Sequence, residues 1–331
     1  MKFLFRLFAF CVLVVAIGAG YVFYLLNQPY QGFSQPVFLE FPHGTSTGEI
    51  ATELAEKGVV RDRWLFLAAK LVRRHANLQA GEYQFAKAAS PLEVFGRIAK
   101  GDIFYMELLI PEGFNMFDVA EAVAKLGTMS ARQFLEAARN PALIRDLDPK
   151  AATLEGYLFP NKYRVYRRTT AQQICRMMTS EFRTQWAALG GRGNVHETVT
   201  LASLVEREAR LPQERPLVAS VFRNRMQIGM RLDCDPTTVY AALLEGRYRG
   251  TIYRSDLANP NAYNTYQHAG LPPGPIANPG LSSIKAAMAP PATSYLYFVA
   301  KADGSGGHNF ADSLQKHEAN VAEYQRNLKR Q

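Results

Sequence analysis

The segment from Leu7 to Leu26 has no charged residue and is almost wholly apolar, and it constrains this chain more than any other stretch. About 20 apolar residues match the hydrocarbon thickness of a bilayer. Lys2 and Arg6 precede the segment, which predicts a cytoplasmic N-terminus with everything after Asn27 outside. Tyr21 and Tyr24 suit the outer interface. A cleaved signal peptide would end near Ala16-Ile17-Gly18-Ala19, yet the apolar run continues through Val22-Phe23-Tyr24-Leu25-Leu26. A retained single-pass anchor over residues 1–27 is therefore the expectation.

Residues 28–35 are polar with Gly and Pro and read as a linker. Residues 36–103 read as a small α/β subdomain. Val37–Phe41 and Gly81–Phe85 are its strands, and Thr47 and Asp62 can cap two helices between them. The second of these helices carries Trp64, Leu67, Ala68 and Leu71 on one face, and Ser90-Pro91 starts a third. This order resembles LysM-like subdomains. Residues 104–331 then form a larger mixed α+β domain. It has a strand at Phe104–Ile110, helices at Met116–Leu126, Arg132–Ala138, Thr170–Leu189 and Pro216–Ile228, and a turn at residues 190–194. Ser282 can cap a later helix. A buried-type strand follows at Tyr295–Val299, then a hairpin partner with His308 and Phe310, and a tail helix from Leu314 to Lys329.

Within the larger domain, Thr200 to Arg210 is a helical run that mixes apolar residues with two acids. At about 100° per residue, Leu201, Leu204, Val205 and Glu208 share one stripe, whereas Glu206 lies about 200° from Glu208. The two acids cannot face one site. An acid beside apolar surface keeps its proton at neutral pH, which is the requirement for cutting a glycosidic bond. The bland alternative is a pair of surface acids beside Arg207 and Arg210.

Other chemistries fit poorly. There is no G-x-S-x-G elbow, and the six His are scattered, with no two at helical zinc-ligand spacing. Asp233-Cys234-Asp235 forms a D-x-D, the pattern of a metal-dependent glycosyltransferase, but Asp235 before Pro236 suits helix capping as well. The formal net charge is +9, with the basic residues scattered, so an anionic polymer or lipid is a better partner than nucleic acid. Cys175 and Cys234 could pair or stay free. The long Gly270–Gly280 loop is rich in Pro and Gly and reads as a stiff rim. A retaining two-carboxylate mechanism needs a partner acid about 5 Å away. A single acid suffices where a muramic 6-hydroxyl closes onto C1, the acid then acting as base.

Several segments in order carry a resemblance. They are Ile110-Pro111-Glu112-Gly113, Leu154-Glu155-Gly156-Tyr157-Leu158-Phe159-Pro160, Ala202-Ser203-Leu204-Val205-Glu206-Arg207-Glu208, Val221-Phe222-Arg223-Asn224-Arg225 and Gly229-Met230-Arg231-Leu232. Asp235-Pro236-Thr237, Tyr263-Asn264-Thr265-Tyr266, Gly270-Leu271-Pro272-Pro273-Gly274-Pro275-Ile276 and Tyr295-Leu296-Tyr297-Phe298-Val299 complete the set. Over residues 36–328 the chain resembles the endolytic murein transglycosylases (MltG or YceG-like proteins) of bacteria.

That resemblance implies a non-hydrolytic cut within peptidoglycan strands that leaves 1,6-anhydro-N-acetylmuramic ends and terminates nascent strands. It implies no cofactor and no metal, a periplasmic catalytic domain on an inner-membrane anchor, and work beside peptidoglycan synthases. It maps the acid/base to Glu206, with Glu208, Asn224, Asp235, Thr237, Tyr263, Asn264 and Tyr266 as supporting or glycan-holding residues. Cys234 departs from the Thr common in relatives. A non-catalytic, membrane-anchored wall-binding scaffold for synthases is the alternative from another class.

Overall fold

The structure is a computed structural model and describes residues 2–191 and 193–328. Arg192, in the expected turn, and Lys329, at the expected end of the tail helix, lie outside the described residues. The chain divides into two compact units, Met1–Tyr105 and Met106–Gln331.

The first unit opens with α1 (Lys2–Asn27), whose side chains are exposed as far as Tyr24 while Leu26 is buried. It is long and apolar enough to cross a membrane. Strand β1 (Val37–Phe41) precedes helices α2 (Thr47–Glu56) and α3 (Arg63–Val72), and β2 (Gly81–Phe85) pairs antiparallel with β1, setting Leu39 opposite Tyr83. Helix α4 (Pro91–Lys100) closes the unit, with Ser90 and Glu93 in a reciprocal capping box.

Three local expectations need correcting here. Ser46, not Thr47, caps α2, because Glu49 stands three residues on and completes a capping box with it. On α3 the core takes Phe66 and Ala69, while Trp64 and Leu71 are exposed. The stripe read from spacing is thus split, with Leu67 and Ala68 partly buried against the core and its two ends outside. Residues 28–35 are also no loose tether: Tyr30 exchanges backbone bonds with Ala89, and the Gly32 N–H donates to the Gly58 carbonyl at 2.8 Å.

In the second unit β3 (Met106–Leu109) pairs antiparallel with β4 (Lys162–Val165), a strand that starts just past the Leu154–Pro160 motif. Helices α5 (Met116–Ala124), α6 (Ala131–Ala138) and α7 (Ala171–Ala188) precede α8 (Val195–Glu208), the helix that bears both acids. Helices α9 (Arg215–Gln227), α10 (Asp235–Leu244) and α12 (Leu281–Met288) pack against α8, and the short α11 (Arg254–Leu257) follows α10. The hairpin of β5 (Tyr297–Ala300) and β6 (His308–Ala311) then leads into α13 (Leu314–Leu328). β5 is half-exposed rather than buried, since it belongs to a two-stranded sheet with an open face.

Helix α8 is the centre of this unit. Every residue from Val199 to Val205 is buried, so the run has no solvent flank and both acids begin in dry surroundings. The Gly270–Gly280 loop is buried from Gly274 to Gly280, and so is packing rather than rim. Proline lacks an N–H, so this loop carries few donors that burial could orphan. The donors it has are met: Ile276 N–H donates to Ser203 Oγ on α8 at 3.0 Å. Gly280 supplies the N-cap of α12, and Ser282 falls inside that helix, contrary to expectation.

Candidate active site

Both acids stand at the C-terminal end of α8, where Ala209 turns extended. Glu206 is tied on both oxygens. Its Oε1 accepts from the Arg215 guanidinium at 2.8 Å and its Oε2 from the Gly280 N–H at 2.9 Å. Arg215 reaches on to Glu112 Oε2 at 3.2 Å, and Arg207 donates to the Gly113 carbonyl at 3.0 Å. These contacts pin the Pro111–Gly113 turn against the helix. Burial raises the Glu206 carboxyl above its ordinary value, while the Gly280 N–H and Arg215 oppose that. Its two donors, one of them cationic, favour the ionised form without reversing that rise.

Glu208 has a different setting. A cavity of ≈ 520 Å³ opens beside it, lined also by Asp235, Tyr266, Tyr297, Phe298 and His308. A second cavity of ≈ 520 Å³ is lined by Leu201, Leu271 and Met288, and neither lining includes Glu206. Burial pushes the Glu208 carboxyl upward, the Cys234 thiol lowers it, and Asp235 raises it further. The Cys234 Sγ–H donates to Glu208 Oε1 at 3.2 Å, and no protein partner meets Oε2 among the described residues. The spacing argument put Glu208 on the apolar stripe, and burial is the largest cause of the rise in this carboxyl.

The other sequence candidates separate into two groups. Asp235 and Tyr266 line the cavity and are joined, the Tyr266 hydroxyl donating to Asp235 Oδ1 at 2.6 Å. Asn224, Thr237, Tyr263 and Asn264 are framework instead. Asn224 donates to the Thr293 and Tyr295 carbonyls. Thr237 donates to the Cys234 carbonyl and meets Thr265 Oγ1 at 3.0 Å. Asn264, fully buried, holds three carbonyls between Asp256 and Asn259. Tyr263 packs on Tyr240, with ring centroids 5.1 Å apart. Asp235 is the first residue of α10, not its cap; Cys234 takes that place, and both Cys175 and Cys234 are free and buried.

Sequence spacing misses the far wall. His308 comes from β6, about 100 residues on, and is fixed by Glu214 through Nδ1 at 2.7 Å. His317 of α13 stacks on Tyr297, and burial lowers its pKa. Arg225 holds the Leu296 and Leu232 carbonyls at 2.6 and 2.9 Å and so joins α9 to the β5 hairpin. Asp233 is the only non-glycine residue with positive φ (47°) among the described residues, and it faces Arg225 at 3.8 Å and Arg231 at 3.9 Å. The D-x-D acids therefore serve different partners.

The half-buried Glu208 thus stands with Asp233 and Asp235 in the wall of an aromatic, polar cleft. Comparisons with known proteins show what the chain is similar to. Residues 39–323 match the model of the YceG-like family. A Bacillus subtilis (strain 168) protein named endolytic murein transglycosylase is 30% identical over 324 residues, 91% of this chain and 89% of its own length. A Streptococcus pneumoniae (serotype 2, strain D39) protein of the same name is 28% identical over 96% of this chain, which spans 64% of that longer protein. The crystal structure of a YceG-like protein from Listeria monocytogenes superposes with a TM-score of 0.57 at 30% identity, covering 87% of this chain and 99% of the other.

Proposed function

The chain belongs to the YceG-like family, and on that premise we propose that it is an endolytic lytic transglycosylase of peptidoglycan, cutting between N-acetylmuramic acid and N-acetylglucosamine to leave 1,6-anhydro ends. The observation that carries the mechanism is the Glu208 carboxyl, half-buried, raised in pKa, and set in the wall of the ≈ 520 Å³ cavity.

Glu208 acts first as acid. It gives its proton to the bridging oxygen, the C1–O bond breaks, and the glucosamine leaves with a free hydroxyl. The muramic 6-hydroxyl then bonds to C1 and returns its proton to Glu208. Atoms and charge balance without water. The Cys234 thiol on Oε1 steers the transferable proton to Oε2. Tyr266, Tyr297 and Phe298 offer ring faces for sugars, and the Asp235–Tyr266 pair offers hydroxyl-binding oxygens. Glu206 locks the turn at Glu112 and the start of α12 through Arg215 and Gly280.

The anchor α1 would hold this activity at the outer face of the inner membrane, with its N-terminus in the cytoplasm. The βααβ order of the first unit supports the reading as a LysM-like wall-binding subdomain. Position at the membrane fits a role in ending nascent strands beside the synthases that make them.

The test is mass analysis of fragments released from purified sacculi. Glu208→Gln should cut anhydro-ended product by about 10²–10⁴-fold. Glu206→Gln should keep that product per folded molecule while losing about 1–3 kcal/mol of stability, because it weakens a buried ion pair. The reverse pattern would return the acid role to Glu206. Unchanged wall maturation in cells carrying only Glu208→Gln would favour the non-catalytic scaffold.

A further inference from the structure

Helix α3 exposes three large apolar side chains on one side. Trp64, Leu71 and Val72 stand at i, i+7 and i+8 and are 62%, 77% and 55% exposed, while Phe66 and Ala69 on the opposite side are fully buried. Such a stripe has no protein to cover it within its unit. Five basic residues (Arg61, Arg63, Lys70, Arg73 and Arg74) and one acid, Asp62, stand in the same stretch.

The location of this helix says what covers it. Leu26, at the end of α1, shares one buried cluster with Phe66, and α1 packs on both α3 and α4. The Arg61 guanidinium lies 5.4 Å from the ring of Tyr30, three residues past the end of α1. The apolar side chains of α1 are exposed right up to Tyr24. A span of about 20 residues uses about 30 Å of helix, so the bilayer surface falls at the last turns of α1. A helix that touches those turns lies at the headgroup level.

Where the end of α3 meets α4, a groove of ≈ 400 Å³ is lined by Arg73, Arg97 and Lys100 with one acid, Glu93. Trp beside apolar and basic residues is the composition of interfacial helices.

We propose that α3 docks on the outer leaflet, with Trp64, Leu71 and Val72 inserted among the acyl chains and the neighbouring arginines and lysines on anionic lipid headgroups. The proposal rests on the reading of α1 as a membrane anchor.

The test uses the full chain carrying Trp186→Phe, so that Trp64 is its only tryptophan. It is reconstituted into vesicles of equal parts phosphatidylglycerol and phosphatidylcholine, with or without bromine high on the acyl chains. Trp64 emission should be blue-shifted and about twofold weaker with brominated lipid, the signature of an indole seated at the interface. Leu71→Ser with Val72→Ser should reverse both effects, without altering resistance of the chain to alkaline extraction. An unquenched Trp64 in chains that resist extraction overturns the docking and leaves the anchor intact. Chains that extract freely overturn the anchor and the docking with it. A blue shift that grows with protein-to-lipid ratio, without quenching, overturns the docking in favour of a second copy of this chain.

Discussion

The character of Glu208 is decided chiefly by burial and one neighbour acting in opposite directions. Burial holds the proton on, and the Cys234 thiol, by donating to Oε1, eases it off. Activity that needs the protonated acid is present below its pKa and lost as pH rises through it. Cys234→Ala removes a donor to the carboxylate, so the alkaline limb of anhydro-product release should move to higher pH. Cys234→Ser, which keeps a donor, should leave the limb in place. A merely structural thiol would change the rate and not the limb. Glu155 is a third raised acid, and it lines neither of the two cavities beside α8. Burial pushes it to about 8, against the Met116 N–H that it accepts at 2.8 Å. A folded pKa above the unfolded value gives stability that is complete below the unfolded value and is lost as pH rises through about 8. The stability advantage of the wild type over Glu155→Gln, measured by denaturant titration, should therefore be present near about pH 5 and gone by about pH 8.5.

Elements here are held by side chains that come from far away in sequence. Asn278 shows this: it is fully buried, accepts from the Leu158 N–H at 2.9 Å, and donates to the Phe114 carbonyl at 2.9 Å and to Glu155 at 3.0 Å. Asn278→Ala should cost about 2–4 kcal/mol in chemical denaturation, since it strands several buried groups at once. Nothing local marks that residue, whereas much else was readable. Strands β1 and β2 alternate cleanly, Asp62 and Ser90 cap where a cap is needed, and the β5–β6 hairpin follows from its Gly-rich turn. Phase was the weak point. On α3 ten residues hold apolar groups on both sides, and only the packing of Phe66 decides which side is inner. On α8 the assumption of one apolar face fails because three helices surround it. The same limit governed the site. Glu208, Asp235 and Tyr266 could be named in advance, but His308 and Tyr297 reach the cavity only through tertiary packing. Asn224, Thr237 and Asn264 carry polar groups that serve backbone carbonyls.

At the scale of the molecule, two separate buried clusters lie in the two units, one built around Phe95 and Tyr83 and the other around α8. Calorimetry should resolve two transitions. Phe95→Ala should lower only the transition of the smaller cluster, by about 3–5 kcal/mol, and leave sacculus digestion at low temperature unchanged. The backbone bonds that fasten residues 28–35 matter most at this scale. With α1 seated in a bilayer, Tyr30 gripping Ala89 and Gly32 gripping Gly58 leave no slack between the span and the folded body that follows it. The body of the first unit would then be moored at one height over the lipid rather than swinging on a tether.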